Sequence, residues 1–206
     1  MKTQRLKEIS TTTVGYYDRT SEAFWAGTKD HDVSQNIAAL LRYMAKPKEN
    51  RILDFGCGPG RDLAAFKALG QQPTGLDGAL NFCQMARSYA ACPVLHQDFL
   101  ALDLGEEQFD GVFANATLFH VPSSELRRVL CDIGRALVPN GVLFTSNPRG
   151  PDSEGWNGER YGVYHTLNGW RQAVSAAGFT ELEHYYRPPG LPREQQGWLA
   201  SVWRKA

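Results

Sequence analysis

The sequence of 206 residues has little cysteine and no long apolar run, and both absences narrow the class of protein. The four cysteines, Cys57, Cys83, Cys92 and Cys131, are scattered and form no C-x-x-C pair, which predicts buried, reduced thiols rather than disulfides or a metal site. No apolar run reaches the roughly 18 residues of a membrane-spanning helix, and the polar N-terminus lacks the apolar centre of a secretory signal. We therefore expect a cytoplasmic protein with no membrane association and no bound metal.

An excess of charge of either sign is also missing. Lysine plus arginine and aspartate plus glutamate number 22 each, so the net charge at pH 7 is zero. No global field would draw such a chain onto nucleic acid or an anionic membrane, and a small molecule is the expected partner. Because the length suits one buried core, we expect a single domain over residues 1–206, present as a monomer or weak dimer.

Among the features that are present, a glycine-rich turn dominates the stretch RILDFGCGPGR at residues 51–61. Gly56, Gly58 and Gly60 follow an apolar run and precede a helical pattern, which predicts a strand, a loop and a helix in that order. Glycine permits positive φ and lets a ligand approach the main chain without striking a Cβ. Arg61 occupies the place of the third glycine in the dinucleotide pattern G-x-G-x-x-G, and no G-K-[ST] follows, so a phosphate-binding loop is disfavoured.

Strand and helix patterns alternate along the rest of the chain. Strands are predicted at residues 51–56, 73–76, 94–97, 109–114, 141–145, 181–186 and 198–203. Helices are predicted at residues 16–26, 33–44, 63–69, 80–89, 123–137 and 166–177. The alternation predicts an α/β fold, a three-layer α/β/α sandwich around a mostly parallel, doubly wound sheet of about seven strands. The last two strands have no helix between them, which predicts an antiparallel C-terminal hairpin.

Acidic residues lie at the ends of the first three predicted strands. Since ligands of a doubly wound sheet bind outside the carboxyl ends of its strands, Asp54, Asp77 and Asp98 should border one crevice. Asp77 can accept both hydroxyls of a ribose, Asp98 can accept from an adenine amino group, and Phe99 can pack on the ring. Asp54 can orient the glycine loop near a cationic group. These preferences favour S-adenosylmethionine, which carries adenine, ribose and a sulfonium but no phosphate.

Six segments of the chain match known sequence motifs in a fixed order. They are LDFGCGPG from Leu53, GLDGAL from Gly75, HQDFLALDL from His96, FDGVFANATLFHV from Phe109, LCDIGRALVPNGVLF from Leu130 and TLNGWRQAVSAAGF from Thr166. Together they resemble the class I, Rossmann-like S-adenosylmethionine-dependent methyltransferases, in particular the small single-domain group. Two positions depart from the family pattern: Ala79 stands where serine is common and forgoes a helix cap, and Asn140 stands where glycine is common.

The resemblance implies that S-adenosylmethionine is the cofactor and S-adenosylhomocysteine the product. It implies a helical lid at residues 1–46, over the cofactor cleft of a Rossmann-like core at residues 47–206. The residues that it places at the cofactor are Tyr16, Tyr17, Asp54, Gly56, Cys57, Gly58, Gly60, Asp77, Gly78, Asp98, Phe99 and Asn115. The two tyrosines match a segment that closes over the cofactor in this group, although aromatic residues of such a helix can also pack on the sheet.

The implied reaction is an in-line transfer of a methyl group to an N, O or S atom of a small molecule. Candidate catalytic residues are His120, His165 and Tyr161; a histidine pKa near neutrality suits a general base. His120 can also be a structural cap of the turn that follows it. Residues 147–165 form a long irregular stretch rich in glycine and aromatics, which favours a substrate loop. Candidate substrate residues in this loop are Arg149, Trp156, Arg160 and Tyr164. The two arginines can bind a carboxylate in bidentate fashion or remain solvated.

Two alternatives stay open from the sequence. A non-catalytic scaffold or partner subunit that binds the cofactor would share the motifs, and a methyltransferase acting on protein or RNA would share the fold. The segment ANATLFH, which follows the fourth strand, lacks the asparagine-proline-proline-aromatic motif associated with methylation of base amino groups. Nucleic acid bases are therefore unexpected acceptors.

Overall fold

Helices and strands alternate through most of the chain, of which the computed structural model describes residues 2–206. The helices are α1 (Lys2–Arg19), α2 (Ser21–Thr28), α3 (Ser34–Arg42), α4 (Arg61–Ala68), α5 (Leu80–Ala90), α6 (Ser123–Ala136) and α7 (Leu167–Ser175). The strands are β1 (Arg51–Phe55), β2 (Gln72–Asp77), β3 (Val94–His96), β4 (Phe109–Asn115), β5 (Leu137–Pro148), β6 (Ser153–Asn157), β7 (Arg160–Tyr164), β8 (Phe179–Arg187) and β9 (Trp198–Lys205). Within this range, no helix combines the length and the apolar character needed to cross a membrane.

A seven-stranded sheet forms the centre of the fold, in the order β3-β2-β1-β4-β5-β9-β8. The neighbours from β3 to β5 pair in parallel, and β9 pairs antiparallel with both β5 and β8. These pairings confirm the predicted α/β fold with a mostly parallel sheet and an antiparallel C-terminal hairpin. The direction of winding reverses between β1 and β4, which is where a doubly wound sheet binds its ligands.

Helices pack on both faces of this sheet because successive residues of a buried strand point to opposite sides. On β1, Ile52 belongs to one apolar cluster with Leu40 of α3 and Phe66 of α4. The next residue, Leu53, belongs to a second cluster that includes Leu130 of α6. Two cores on either side of one sheet produce the three layers that the sequence predicts.

The first helix begins much earlier than predicted. α1 starts at Lys2, whereas the sequence pattern indicates a helix from residue 16. The helical conformation is interrupted at Thr20, before α2. The face of α1 that packs on the protein carries Ile9 and Thr13, which are 3% and 6% exposed. A buried threonine and a few apolar residues give weak helical periodicity, so the pattern conceals the first half of this helix.

Residues 147–165 are not irregular as predicted but largely strand. β5 continues to Pro148, and β6 and β7 form a separate two-stranded antiparallel sheet. Gly158, with φ of 60°, opens its two-residue turn, a position that a type II′ hairpin reserves for glycine. Tyr161 and Val163 of β7 are each 2% exposed and pack with Ile9 of α1. The hairpin was missed because its buried residues occupy only part of a short strand.

The cysteine prediction holds for two of the four side chains. All four cysteines are free, and Cys57 and Cys83 are buried. Cys92 is half-buried and Cys131 is exposed, so the prediction of a buried thiol is wrong for Cys131. This residue lies on the solvent side of α6, while Leu130 and Ile133 of the same helix are fully buried.

A buried hydrogen-bond network joins α7 to the seam between β5 and β9. Ser201 Oγ accepts from Trp203 Nε1 at 2.8 Å and from Trp170 Nε1 at 3.2 Å, and it lies 2.9 Å from Thr145 Oγ1. Trp170 Nε1 also donates to Thr145 Oγ1 at 3.1 Å. Both indole rings are thus held through one serine hydroxyl.

Removing that hydroxyl should destabilise the protein measurably. We expect Ser201→Ala to lower the free energy of unfolding by about 2–3 kcal/mol, because the buried Trp203 indole N–H loses its acceptor. Thr145→Val is the matched control and should cost less, since Trp170 keeps Ser201 as a partner. Urea unfolding of both variants measures the difference, and an equal or larger loss in Thr145→Val would contradict the central place of Ser201.

Candidate active site

A cavity of about 790 Å³ lies at the carboxyl ends of β1, β2 and β4. Its volume falls within the range of about 300–1,000 Å³ typical of small-molecule sites. Nine of the residues predicted for the cofactor line it: Tyr17, Gly56, Cys57, Gly58, Asp77, Gly78, Asp98, Phe99 and Asn115. The other three predicted cofactor residues, Tyr16, Asp54 and Gly60, lie behind this lining.

The glycine loop is held against β2 by its own backbone. Gly56 N donates to Leu76 O at 2.7 Å, and Gly58 N donates to Asp77 Oδ2 at 3.0 Å. All three glycines have positive φ, 78° at Gly56, 51° at Gly58 and 98° at Gly60. Gly60 allows the loop to pack closely against α5 and does not border the cavity. A Cβ at this position would lie 2.8 Å from the Ala86 Cα of α5.

Asp77 ends β2 with its carboxylate fixed by two main-chain donors. Besides the bond from Gly58, its Oδ1 accepts from Ala79 N at 2.9 Å. The residue is 9% exposed, and burial raises the pKa of its carboxyl to about 6. The backbone hydrogen bonds oppose this rise. With a pKa of about 6, the carboxylate is mostly ionised at neutral pH.

Asp54 lies beneath the glycine loop and is 2% exposed. Burial raises the pKa of its carboxyl well above the usual range, and the nearby Asp62 adds to the rise. Its Oδ2 is buried without a hydrogen-bond partner among the described residues. Asp54 does not border the cavity, whereas Asp62 does, so any influence of Asp54 on a ligand passes through the loop or through its charge.

The predicted adenine residues lie at the far end of the cavity. Asp98 is exposed, and it accepts from Ser10 Oγ of α1 at 2.5 Å and from Leu100 N at 2.8 Å. Phe99 stacks on Phe55 with ring centroids 4.5 Å apart. α1 is therefore tied to the core at the end of β3 as well as over the centre of the cavity.

Tyr17 of α1 projects over the cavity and contacts His120, in the turn after β4. The Tyr17 hydroxyl lies 2.8 Å from His120 Nε2, and His120 Nδ1 lies 2.6 Å from the carbonyl oxygen of Tyr161. Because a carbonyl only accepts, Nδ1 carries the proton and Nε2 accepts from Tyr17. Burial lowers the pKa of His120 to about 4, so the ring is neutral at physiological pH.

The remaining predicted residues divide between the cavity and its surroundings. Arg160 lines the cavity, with its guanidinium 5.3 Å from the centroid of the Tyr16 ring. Tyr161 is buried under α1, where its N donates to Thr13 Oγ1 at 3.0 Å. Trp156 packs edge-on against Tyr161 and is 46% exposed. Neither Tyr161 nor Trp156 borders the cavity.

His165, Tyr164 and Arg149 also lie outside the cavity lining. His165 Nδ1 is 3.4 Å from Asp152 Oδ1, and its Nε2 is buried without a partner in the described part of the chain. Tyr164 lies near Phe119, with centroids 6.4 Å apart. Arg149 donates to the carbonyls of residues 193 and 196, at 3.0 and 2.9 Å. The structure thus brings His120 and Arg160 together at the cavity but not these three.

A polar network that the sequence analysis missed lines the cavity beside β4. Asn36 of α3 donates to Asn115 Oδ1 at 2.9 Å, and Asn115 Nδ2 lies 3.3 Å from Asp62 Oδ2. Arg61 Nε pairs with Asp62 Oδ1 at 2.7 Å, and Tyr185 donates to Asn36 Oδ1 at 2.9 Å. Asn36 is 1% exposed. One signal could have found it, since this amide lies on the apolar face of α3, one residue before Ile37.

The protein is Rossmann-like and has a site for an adenosyl ligand. This follows from the order of its strands, the glycine loop and the buried acid at the end of β2. Residues 53–145 match the family described as Methyltransferase domain. The chain is 30% identical to N-demethylindolmycin N-methyltransferase of Streptomyces griseus over 185 residues, 72% of this chain and 78% of that protein. It is also 30% identical to malonyl-[acyl-carrier protein] O-methyltransferase of Salmonella typhimurium over 149 residues. This match covers 65% of this chain and 59% of that relative.

Among solved structures, the fold is similar to that of 1,6-didemethyltoxoflavin-N1-methyltransferase of Burkholderia thailandensis. The TM-score is 0.80 at 21% identity, with 98% of this chain and 90% of that chain covered. The chain belongs to the class I S-adenosylmethionine-dependent methyltransferases, and S-adenosylmethionine is the cofactor of this family.

The cavity wall fits that cofactor. A Cβ added at Gly58 would meet only Phe24 Cε1, at 3.8 Å, so the space above the loop is open to a ligand. The adjoining Asp77 carboxylate supplies acceptors for hydroxyl donors, and no lysine or arginine of the described residues forms an ion pair with it. An open backbone beside a buried carboxylate suits a ribose with a sulfonium chain better than it suits a phosphate, which the carboxylate would repel.

Proposed function

We propose that this protein transfers a methyl group from S-adenosylmethionine to an N, O or S atom of a small molecule by in-line displacement. The observation that carries the proposal is the cavity in which the glycine loop and Asp77 adjoin a second wall of aromatic and basic residues. When bound, the cofactor supplies a sulfonium-activated methyl group. The protein's own part is alignment of the two reactants and exclusion of water.

The proposed donor contacts follow from the lining residues. Asp77 accepts the ribose hydroxyls, Asp98 and Phe99 border the adenine, and the main chain of Gly56 and Gly58 borders the methionine part. Asn115 borders the part of the cavity where the methyl group is transferred. Its side-chain amide is fixed there by hydrogen bonds on both sides. Residues 1–46 serve as the lid over this donor site and residues 47–206 as the core.

His120 is proposed to act first as a positioning residue. Its neutral ring holds the Tyr17 hydroxyl and so keeps α1 over the cavity. A general base is needed only when the acceptor atom carries a proton at the working pH. His120 lines the cavity and its Nε2 becomes free to accept a proton once Tyr17 releases it, whereas His165 and Tyr161 lie outside the lining.

The elements that cover the cavity favour a small-molecule acceptor over a protein or RNA. α1 packs on β7 and α5, and the β6–β7 hairpin packs on the turn that contains His120. An acceptor attached to a polymer would have to pass between these elements. Retention on an RNA column at moderate salt would support the alternative, because phosphate contacts weaken steeply as salt rises.

Isothermal titration with S-adenosylmethionine and S-adenosylhomocysteine is the first test of the proposal. Binding of both ligands at a stoichiometry of one is the expected result, and absence of binding would refute the proposal. Production of S-adenosylhomocysteine with a panel of amines, phenols and thiols then separates a methyltransferase from a non-catalytic scaffold.

The contact between Tyr17 and His120 gives a separate prediction. We expect Tyr17→Phe to speed dissociation of S-adenosylhomocysteine by about two- to tenfold, since it removes one hydrogen bond that holds α1. Tyr16→Phe is the matched control, because it keeps the ring that Arg160 contacts and leaves His120 untouched. Stopped-flow fluorescence measures both rates. If the two variants release the ligand at the same rate, the hydrogen bond does not secure the lid.

A further inference from the structure

One wall of the cavity is largely aromatic. Phe119 follows β4, and its ring lies 3.9 Å from the His120 ring and 6.4 Å from the Trp198 ring, centroid to centroid. Tyr17 closes the same wall from α1, with its ring 5.4 Å from that of His120. Phe119, Trp198 and Tyr17 all line the cavity. Rings at these distances and angles offer flat apolar surfaces to a planar ligand.

Arg160 is the cation of this wall. Its guanidinium stacks over the Tyr16 ring at 5.3 Å and lies close enough to the Tyr17 hydroxyl to interact with it. No carboxylate of the described residues lies within ion-pair distance of it. The neighbouring Glu159 pairs instead with Arg19, at 2.7 Å. The guanidinium is thus oriented by tyrosines and keeps donors for a ligand.

The other two arginines of the cavity are already engaged. Arg61 binds Asp62 through two nitrogens, at 2.7 and 3.1 Å, and also donates to Thr28 O at 2.8 Å. Arg187 donates to the main-chain oxygen of Asp32 at 2.9 Å. Its charge also helps to lower the pKa of the Asp32 carboxyl. Arg160 therefore differs from both in lacking an acidic partner among the described residues.

We propose that the methyl acceptor is a small molecule with a flat apolar body and a carboxylate, and that Arg160 binds this carboxylate. The guanidinium fork matches a carboxylate in bidentate geometry, and the rings of Phe119 and Trp198 receive the body. This inference rests on the proposed function, since it concerns the acceptor half of the same cavity. It makes Arg160 the residue that selects anionic acceptors.

The carboxylate of the cofactor's methionine part is another source of the same chemistry. Arg160 lies on β7, with its guanidinium over the Tyr16 ring and its charge close to Tyr17 and His120, which belong to α1 and to the turn after β4. The glycine loop and Arg61 follow β1 and begin α4, so they belong to other elements than Arg160 does. The position of Arg160 therefore favours the acceptor, and a binding experiment can distinguish the two sources.

The experiment uses benzoate and benzamide as probes, a pair that differs in charge but little in shape. Their binding to the full chain saturated with S-adenosylhomocysteine is measured by ligand-observed NMR. Arg160→Gln removes the proposed contact. Arg149→Gln is the matched control, because Arg149 also stacks on a tyrosine, Tyr186 at 4.7 Å, but lies outside the cavity. The affinity of each protein for S-adenosylhomocysteine is titrated separately.

We expect wild type and Arg149→Gln to bind benzoate about tenfold more tightly than benzamide, and Arg160→Gln to lose this difference. Affinity for S-adenosylhomocysteine should stay within about twofold in all three proteins. A tenfold loss of that affinity in Arg160→Gln would assign the residue to the cofactor carboxylate and overturn the proposal. Equal binding of the two probes to wild type, or no binding of benzoate, would also overturn it. Failure of wild type to bind S-adenosylhomocysteine would instead refute the proposed function.

Discussion

Replacing Asp77 by alanine is expected to weaken binding of S-adenosylhomocysteine by about 1.5–3 kcal/mol, or about ten- to 150-fold. The carboxylate is the acceptor that the proposed site offers to the ribose hydroxyls, and hydrogen bonds to a charged group contribute more than neutral ones. The same substitution also removes the acceptor of Gly58 N and Ala79 N. Isothermal titration measures the loss, and a thermal melt shows whether the variant remains folded.

Asp110→Ala is the matched control for this experiment. Asp110 is a strand acid like Asp77, although it is only half-buried. It lies near the start of β4, at the opposite edge of the sheet, and accepts from the Arg51 main chain at 2.7 Å. Its removal should leave the affinity unchanged. If Asp77→Ala binds as tightly as Asp110→Ala does, Asp77 is not the ribose acceptor.

The pH dependence of binding provides an independent check on Asp77. The ionised carboxylate is the form that accepts two hydroxyls, so binding favours the anion and lowers the pKa of the carboxyl in the complex. Because the pKa in the free protein is about 6, affinity should be constant above that pH and should fall as the pH decreases through it. Asp77→Asn has no such ionisation and should lose this dependence. Titrations between about pH 5 and pH 8 make the comparison.

The parallel core was predictable because its strands are buried on both faces and read as short apolar runs. β1 illustrates this, since Ile52, Leu53 and Phe55 are all fully buried. The glycine loop and Asp77 were predictable for a related reason. Glycine is the residue that favours positive φ, and an acid directly after an apolar run indicates a carboxylate at the end of a strand. The location of the cavity follows from these features without knowledge of any long-range contact.

The proposed acceptor side of the cavity was harder to predict, because it is assembled from side chains distant in sequence. Arg160 reaches it from a hairpin that the residue pattern did not reveal, and Trp198 reaches it from the first residue of β9. His165, which lies five residues after Arg160, turns instead toward Trp170, with ring centroids 5.6 Å apart. The pairing of β7 with β6 places Arg160 at the cavity, and no local residue pattern specifies that pairing.

Replacing Gly56 by alanine is expected to destabilise the protein by about 2–5 kcal/mol and to abolish measurable binding of S-adenosylhomocysteine. The left-handed conformation at φ of 78° costs an alanine about 1–2 kcal/mol. The new Cβ would also lie 2.3 Å from Thr117 Cγ2 and 2.5 Å from its Oγ1. Thr117 is 3% exposed and cannot retreat without moving the turn that carries His120.

Gly158→Ala is the control that separates conformational strain from the clash at Gly56. Gly158 has a similar φ of 60°, but no atom lies within 4 Å of the Cβ position, so only the strain remains. Urea unfolding should therefore give a smaller loss for Gly158→Ala than for Gly56→Ala. Thr117→Ala should in turn recover part of the stability of Gly56→Ala, because it removes the two nearest atoms while Thr117 Cβ stays 2.9 Å away. Equal losses in both glycine variants, with no recovery from Thr117→Ala, would mean that the loop is limited by backbone conformation and not by its packing under the β4 turn.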